Sequence, residues 1–128
     1  MTRTFAIGTP DDTARSIHDI VTRAQAAGVA TVAPGVEVAA VDKACRDLIT
    51  DEGYGPEFGH GTGHGVGLDI HELPSVRAGN TAILLPGQVI TVEPGIYLPG
   101  VGGVRVEDMV VVTDDGCRPL TQSPKMSL

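Results

Sequence analysis

Three of the four histidines lie in one glycine-rich stretch, residues 59–74. Glycine occupies every second position from Gly59 to Gly67, and in a helix each interior glycine would cost roughly 1 kcal/mol relative to alanine. An extended segment is therefore predicted, and its alternate side chains share one face: His60, Thr62, His64, Val66, Leu68 and Ile70. The glycine face would allow another backbone or a ligand to come close.

The spacing of His60 and His64 limits the chemistry they can do together. On an extended strand the two side chains are about 13 Å apart, whereas a metal–ligand bond is about 2 Å long, so one ion cannot bind both. We expect at most one of them to bind a metal directly, and the other to contact a metal ligand or a substrate. Taken alone, the stretch also fits a glycine-rich loop with solvated histidines.

Two carboxylates lie in predicted strands, where an acidic group is costly unless it is paired or metal-bound. Glu93 ends an apolar strand before a Pro-Gly corner, and Glu107 follows Arg105 by two residues on the same strand face. Singly, an exposed strand end explains Glu93 and an ion pair with arginine explains Glu107. With His64 they make one imidazole and two carboxylates on consecutive extended segments, a suitable ligand set for Mn, Co, Fe or Zn.

The composition restricts the function classes. A chain of 128 residues is one domain by the usual prior. The net charge of −7 argues against nucleic acid or an anionic membrane as partner. Cys45 and Cys117 form no C-x-x-C pair, and no apolar run reaches the roughly 18 residues of a spanning helix, so a reduced, cytoplasmic compartment is expected.

The elements that must position these residues are predicted from periodicity and turn signals. Residues 2–8 are predicted as a strand; Thr9 and Pro10 start a helix that Gly28 ends, with His18 on its surface. A second helix is predicted over residues 37–52, with Cys45 on its core face. The rest is predicted as a loop over residues 71–82, strands over 88–93, 96–98, 104–113 and 117–121, and a frayed tail over 122–128.

Three segments of the chain read, in order, Gly-His-Gly-Thr-Gly-His-Gly-Val-Gly-Leu-Asp-Ile-His-Glu-x-Pro, Leu-Pro-Gly-Gln-Val-Ile-Thr-Val-Glu-Pro-Gly-Ile-Tyr and Gly-Gly-Val-Arg-Val-Glu-Asp. They resemble the M24 metallopeptidases, the pita-bread enzymes, and most closely their Xaa-Pro aminopeptidase and prolidase branch. The resemblance implies an α+β fold: a partial pita-bread fold in which a curved, mostly antiparallel sheet carries two helices on its outer face. The whole chain, residues 1–128, would be a single domain equivalent to the C-terminal portion of the catalytic domain.

The resemblance also implies roles for individual residues. His64 and Glu93 would bind one metal of a dinuclear pair, and Glu107 would bridge both metals. Glu93 would also transfer protons, His60 and His71 would contact the substrate, and Arg105 would hold Glu107. The divalent metal would be Mn or Co, with Zn or Fe as alternatives, and the substrate a peptide with proline at its second position.

The family centre also uses two aspartates, the second in a Ser-Asp-x-Thr-Arg-Thr run. Here Thr2-Arg3-Thr4 follows Met1, so that aspartate would precede the chain, and the first would lie further upstream. At most one ion and little peptidase activity are therefore expected of this chain alone. Because its sheet would expose an edge, a homodimer or pairing with the missing N-terminal portion is as much expected as a monomer. The alternative is a non-catalytic peptide- or protein-binding module.

Overall fold

Two helices and seven short strands make up the fold in a computed structural model that describes residues 1–128. In chain order they are α1 (Asp12–Thr31), α2 (Val38–Asp51), β1 (Gly63–Gly65), β2 (Glu72–Val76), β3 (Val89–Val92), β4 (Gly95–Leu98), β5 (Gly102–Arg105), β6 (Asp108–Val112) and β7 (Cys117–Pro119). Five strands form a sheet in the order β2-β1-β3-β6-β7, and β4 pairs with β5. All of these pairings are antiparallel, which confirms the predicted fold class.

Helix α1 starts and ends later than predicted. Its N-cap is Asp11, whose carboxylate accepts a hydrogen bond from the backbone of Ala14, and the helix continues through Gly28 to Thr31. Gly28 does not end the helix, because it is a packing position: a Cβ atom there would lie 2.4 Å from Cys45 Sγ of α2. The prediction of a helix end at Gly28 was therefore wrong.

Helix α2 was predicted to within one residue at each end. Cys45 has an exposure of 0%, which confirms its predicted place on the core face, and Val38, Val41 and Ile49 are equally buried. They join a core cluster of 19 buried apolar residues to which both helices and both sheets contribute. Gly53 follows the helix with a φ of +90°, the left-handed conformation expected after a helix end.

Three predictions for the extended segments were wrong. Residues 2–8 form no strand; only Thr2 makes an isolated bridge, with Glu107. The predicted loop over residues 71–82 contains β2, an edge strand in which Pro74 is tolerated because no second neighbour needs its missing N–H. The predicted strand over residues 104–113 is divided into β5 and β6, which belong to different sheets.

The surface of α1 is also covered more than the sequence indicated. His18 is only 5% exposed, so its prediction as a surface residue was wrong. The C-terminal segment covers this side of the helix: His18 and Met126 line one groove, and Arg15 donates a hydrogen bond of 2.6 Å to the carbonyl of Leu128. The tail is therefore held in place rather than frayed. Neither helix combines the length and apolar character needed to cross a bilayer.

Candidate functional site

One open cavity of about 580 Å³ collects most of the candidate residues. Only one of its eleven lining residues is hydrophobic, and the charged and polar ones come from the glycine-rich stretch, β2, the end of β3 and β5. The lining residues are His60, Gly61, Gly63, His64, His71, Glu72, Leu73, Ser75, Arg77, Glu93 and Arg105. Three imidazoles, two carboxylates and two guanidinium groups thus share one solvent-accessible space.

Glycines allow β1 to lie tightly between its neighbours. A Cβ at Gly63 would be 2.0 Å from the carbonyl oxygen of Thr91 in β3, and one at Gly65 would be 2.1 Å from that of Leu73 in β2. The predicted close approach of another backbone is therefore confirmed at these two positions. No side chain can be added at either position without moving a neighbouring strand.

The predicted common face of the glycine-rich stretch was only partly right. His60 and His64 line the cavity, but Thr62 is fully buried and donates a hydrogen bond to Asp42 of α2. The regular alternation fails because the residues from Gly59 to Ile70 form a strand only at β1, and the register of β1 with β2 shifts between Gly63 and Gly65.

The imidazole of His64 is oriented toward Glu93. Its Nδ1 donates a hydrogen bond of 2.7 Å to the Gly65 carbonyl, which can only accept. Its Nε2 lies 3.3 Å from Glu93 Oε1. The hydroxyl of Thr91 donates to the same carboxylate oxygen and accepts a hydrogen bond from the backbone N–H of His64. A histidine whose ring is oriented by a backbone carbonyl and that faces an oriented carboxylate is typical of metal ligands.

Glu107 is held in a more enclosed position, with an exposure of 8%. Its Oε1 lies 3.1 Å from the Met1 amino group, and its Oε2 accepts a hydrogen bond of 2.5 Å from the Thr2 hydroxyl. Burial opposes ionisation, but these hydrogen bonds, the amino group and Arg105 together lower the pKa of Glu107. The carboxylate is therefore kept negatively charged.

Arg105 connects the two carboxylates. Its Nε lies 3.8 Å from Glu93 Oε2 and 3.2 Å from Thr2 Oγ1, so it reaches Glu107 through the Thr2 hydroxyl. The phenol of Tyr97, and then Glu93 and Glu107, raise the pKa of Arg105 above its ordinary value. The guanidinium is consequently a permanent positive charge between the two acids.

His60 and His71 lie at opposite sides of His64 along the chain, and both line the cavity. The Nδ1 of His60 is 2.8 Å from the Gly61 carbonyl, and its Nε2 is 2.9 Å from the Tyr97 hydroxyl. The ring of His71 is perpendicular to that of His64, with their centroids 4.6 Å apart. Both imidazoles are thus within reach of a molecule bound near His64.

The structure assembles part of the predicted ligand set. His64 and Glu93 are adjacent, whereas no three His, Cys, Asp or Glu side chains are close enough together to hold a metal ion. The donors nevertheless fit a divalent ion chemically, because they provide an imidazole whose Nε2 faces a carboxylate and a second carboxylate, that of Glu107, which is kept ionised.

Sequence reasoning missed several residues that shape the site. Tyr97 bonds His60, Thr91 joins His64 to Glu93, and Arg77 lines the cavity. One signal could have found Tyr97: successive side chains of a strand point to opposite faces, so Tyr97 lies on the face opposite the fully buried Ile96. No comparable signal existed for Thr91, since a threonine in a strand is ordinary.

Comparison with known proteins agrees with these observations. The model of metallopeptidase family M24 matches residues 1–114. An Xaa-Pro dipeptidase of Pyrococcus horikoshii is 42% identical over 125 residues, which are 98% of this chain and 36% of that protein. The chain therefore spans about a third of the length of the curated relatives it matches.

Solved structures show the same likeness. An Xaa-Pro dipeptidase from Bacillus anthracis aligns with a TM-score of 0.96 and 48% identity over 98% of this chain and 36% of its own. An X-Pro aminopeptidase from Thermotoga maritima aligns with a TM-score of 0.93 and 41% identity over 97% of this chain and 35% of its own. These alignments confirm the predicted partial pita-bread fold. The chain belongs to metallopeptidase family M24.

Proposed function

We propose that this chain supplies part of the metal centre and of the substrate cavity of a peptidase that cleaves before proline, with residues 1–128 equivalent to the C-terminal portion of the catalytic domain. The observation that carries the proposal is the separation of 3.3 Å between His64 Nε2 and Glu93 Oε1 in an open polar cavity. The names of the relatives, Xaa-Pro dipeptidase and X-Pro aminopeptidase, support the substrate class.

His64 and Glu93 would bind one divalent ion, and Glu107 would bridge to a second. The metal would be Mn or Co, with Zn or Fe as alternatives, since the donors are one imidazole nitrogen and carboxylate oxygens. When bound, such an ion polarises a peptide carbonyl and makes water a better nucleophile near neutral pH.

The chain's own residues would then act on the substrate. Glu93, whose Oε1 accepts a hydrogen bond from Thr91, would also accept and return a proton. His60 and His71 line the cavity and would bind the substrate carbonyl, and Arg105 would hold Glu107 through Thr2.

The positive charge of Arg77 favours a short peptide as substrate. This exposed guanidinium lines the same cavity as His64 and makes no ion pair, so it is available to the C-terminal carboxylate of a dipeptide. Binding of Ala-Pro should weaken about tenfold in Arg77→Ala, in line with the loss of a charge-assisted hydrogen bond. Binding of the amide Ala-Pro-NH₂ should change little, and equal weakening of both peptides would contradict this assignment.

The polypeptide of residues 1–128 is proposed to bind at most one ion, weakly, with little turnover. One metal position has three candidate protein ligands, His64, Glu93 and Glu107, whereas the other has only Glu107.

The metal proposal is tested by titrating the 128-residue chain with Mn²⁺ and following the free ion by electron paramagnetic resonance. We expect one site, weakened at least about tenfold in His64→Ala and Glu93→Gln because a ligand is lost. Glu52→Gln, which removes a surface carboxylate at the end of α2, should leave the affinity unchanged. Two tight sites, or a site indifferent to His64 and Glu93, would refute the proposal.

The proposed partners are a second copy of the chain or the remainder of the catalytic domain. Leu68, Ile70 and Leu73 support an association, because these large apolar side chains are 103%, 84% and 88% exposed within one short segment. The net charge of −7 argues against nucleic acid and membrane partners. Two free cysteines support a reduced, cytoplasmic setting. Size-exclusion chromatography of the chain reports whether it forms dimers.

A further inference from the structure

An ion pair on α2 holds the backbone that carries His60. Arg46 and Asp42 are four residues apart on the helix, and the guanidinium donates two hydrogen bonds, of 2.9 and 3.0 Å, to the Asp42 carboxylate. The same guanidinium donates to the carbonyl of Phe58 at 2.9 Å and to that of His60 at 2.8 Å. It also lies 4.2 Å from the centre of the Phe58 ring.

Asp42 extends this contact to β1 and β3. Its side chain is 1% exposed, and its Oδ1 accepts hydrogen bonds from both the backbone N–H and the hydroxyl of Thr62. The carbonyl of Thr62 in turn accepts a hydrogen bond of 2.7 Å from the backbone N–H of Glu93. Every link from α2 to the Glu93 backbone is therefore a direct hydrogen bond.

The Asp42–Arg46 pair makes more contacts outside its helix than a pair that only stabilises a helix would need. Asp19 and Arg23 make the equivalent pair on α1, but both side chains are largely exposed and Arg23 otherwise contacts only Glu52. Arg46 directs two of its donors to main-chain carbonyls of the segment beside the cavity, and Asp42 is buried to reach Thr62. A forked guanidinium can fix two carbonyls and a carboxylate at once, which a lysine cannot.

We propose that Asp42 and Arg46 are positioning residues of the site: Arg46 fixes the backbone at His60, and Asp42 fixes that at Glu93 through Thr62. The consequence for metal and substrate binding rests on the proposed function. The geometric effect on the His60 side chain does not, because the hydrogen bond between His60 Nε2 and Tyr97 is present in the chain itself.

The test uses the full chain with ¹⁵N-labelled histidine, and long-range ¹H–¹⁵N spectra report the ring state of each imidazole. In Arg46→Lys we expect the His60 ring signals to shift as its bond to Tyr97 is lost, whereas the His18 signals stay in place. We also expect the Mn²⁺ dissociation constant to rise about tenfold, as for other residues that orient ligands. Arg23→Lys is the matched control and should change neither reading.

Thr62→Val tests the second arm and leaves the Asp42–Arg46 pair intact, so it remains informative if Arg46→Lys does not fold. It should weaken Mn²⁺ binding and shift the ring signals of His64, whose Nε2 lies 3.3 Å from Glu93 Oε1. The proposal would be overturned if a folded Arg46→Lys or Thr62→Val protein had a lowered unfolding temperature but kept the wild-type ring signals and Mn²⁺ affinity. The two residues would then have only a structural role. If the wild-type chain binds no Mn²⁺, the metal centre fails, and the His60 signals alone decide the positioning role.

Discussion

Thr91 joins the two residues at the centre of the candidate site through a single hydroxyl group. It is 2% exposed, donates to Glu93 Oε1 at 2.9 Å, and accepts the backbone N–H of His64 at 3.0 Å. Thr91→Val keeps the shape of the side chain but leaves both partners without this contact. A carboxylate that is no longer oriented should bind Mn²⁺ about tenfold more weakly.

The matched control for this change is Thr113→Val, which removes a hydroxyl that donates to Asp115 in an exposed turn. Mn²⁺ titration of both variants and the wild-type chain gives the comparison. Equal affinities in Thr91→Val and the wild type would show that the hydroxyl does not orient Glu93.

Cys45 and Cys117 should differ sharply in reactivity. Burial raises the pKa of the Cys45 thiol to about 12, and it raises that of the half-buried Cys117 thiol to a smaller extent. Since the thiolate is the reactive form, a chromogenic disulfide reagent at about pH 8 should label Cys117 slowly and Cys45 only in urea. In Cys117→Ser the native protein should give no early signal, and rapid labelling of that variant would contradict the assignment.

Residue types singled out His64 and Glu93 as candidates, and the structure places their side chains 3.3 Å apart. Their roles as ligands were implied only by the family resemblance. The burial of His18 and Thr62 was missed, since it depends on the tail and on Asp42, which are distant in sequence. The ligand roles of His64, Glu93 and Glu107 stay predictions.

At the scale of elements, the crossing of α1 and α2 depends on the absence of a side chain at Gly28. A Cβ there would lie 2.4 Å from Cys45 Sγ and 2.9 Å from Val92 Cγ1, so both helices and β3 converge on this point. Gly28→Ala should gain about 1 kcal/mol of helix propensity. It should lose about 1–3 kcal/mol through overpacking, which gives a net destabilisation in urea unfolding.

Cys45→Ala removes the nearer of the two contacts. Gly28→Ala should therefore reduce the stability less when it is added to Cys45→Ala than when it is made in the wild-type protein. A single Gly28→Ala protein that is more stable than the wild type would show that the helices separate without cost.

The division of the predicted strand over residues 104–113 explains the positions of Arg105 and Glu107. The backbone of Glu107 pairs with Thr2 instead of a sheet neighbour, and β5 and β6 then pair with β4 and β3. The alternating pattern of valines continues across the break, so it gave no signal. The helix bounds of α2 were predictable because caps and apolar periodicity are local.

At the scale of the whole molecule, Asp108 ties together segments from both ends of the chain. Its carboxylate pairs with Arg3 at 2.7 Å and Lys125 at 2.8 Å, and it accepts a hydrogen bond from Gln25 of α1. Lys125→Met should destabilise the protein by about 1–2 kcal/mol, since a nearly buried carboxylate loses one of two cations. Lys43→Met, which removes an exposed pair with Asp47, should change stability by less than about 0.5 kcal/mol.

The same network should make the free energy of unfolding depend on pH in the acidic range. Burial opposes ionisation of Asp108, but Lys125 and Arg3 outweigh it and lower the pKa of this carboxyl below its ordinary 3.8. The stabilisation is therefore fully present above pH 3.8 and is lost as the pH falls through the lower native value. Urea unfolding at a series of acidic pH values checks this, and Lys125→Met should show a shallower dependence.

Overall architecture was the level at which the sequence was most informative. Three motifs in order resemble the M24 metallopeptidases, and that resemblance implied the partial pita-bread fold, which the alignments with solved structures confirm. The contacts of Arg3 with Ser123 and of Lys125 with Asp108 were not predictable, since they join residues at opposite ends of the chain.

The contacts of Gly63 and Gly65 with Thr91 and Leu73 have a practical consequence for anyone who wishes to change what the cavity accepts. When these two positions are randomised, almost all folded variants should retain glycine, although both positions flank His64. Diversity is better placed at Ser75 and Arg77, whose side chains reach the same space from the outermost strand and its end. The glycine-rich segment, although it is the most repetitive part of the sequence, is thus the part that tolerates the fewest substitutions in the engineering of a new specificity.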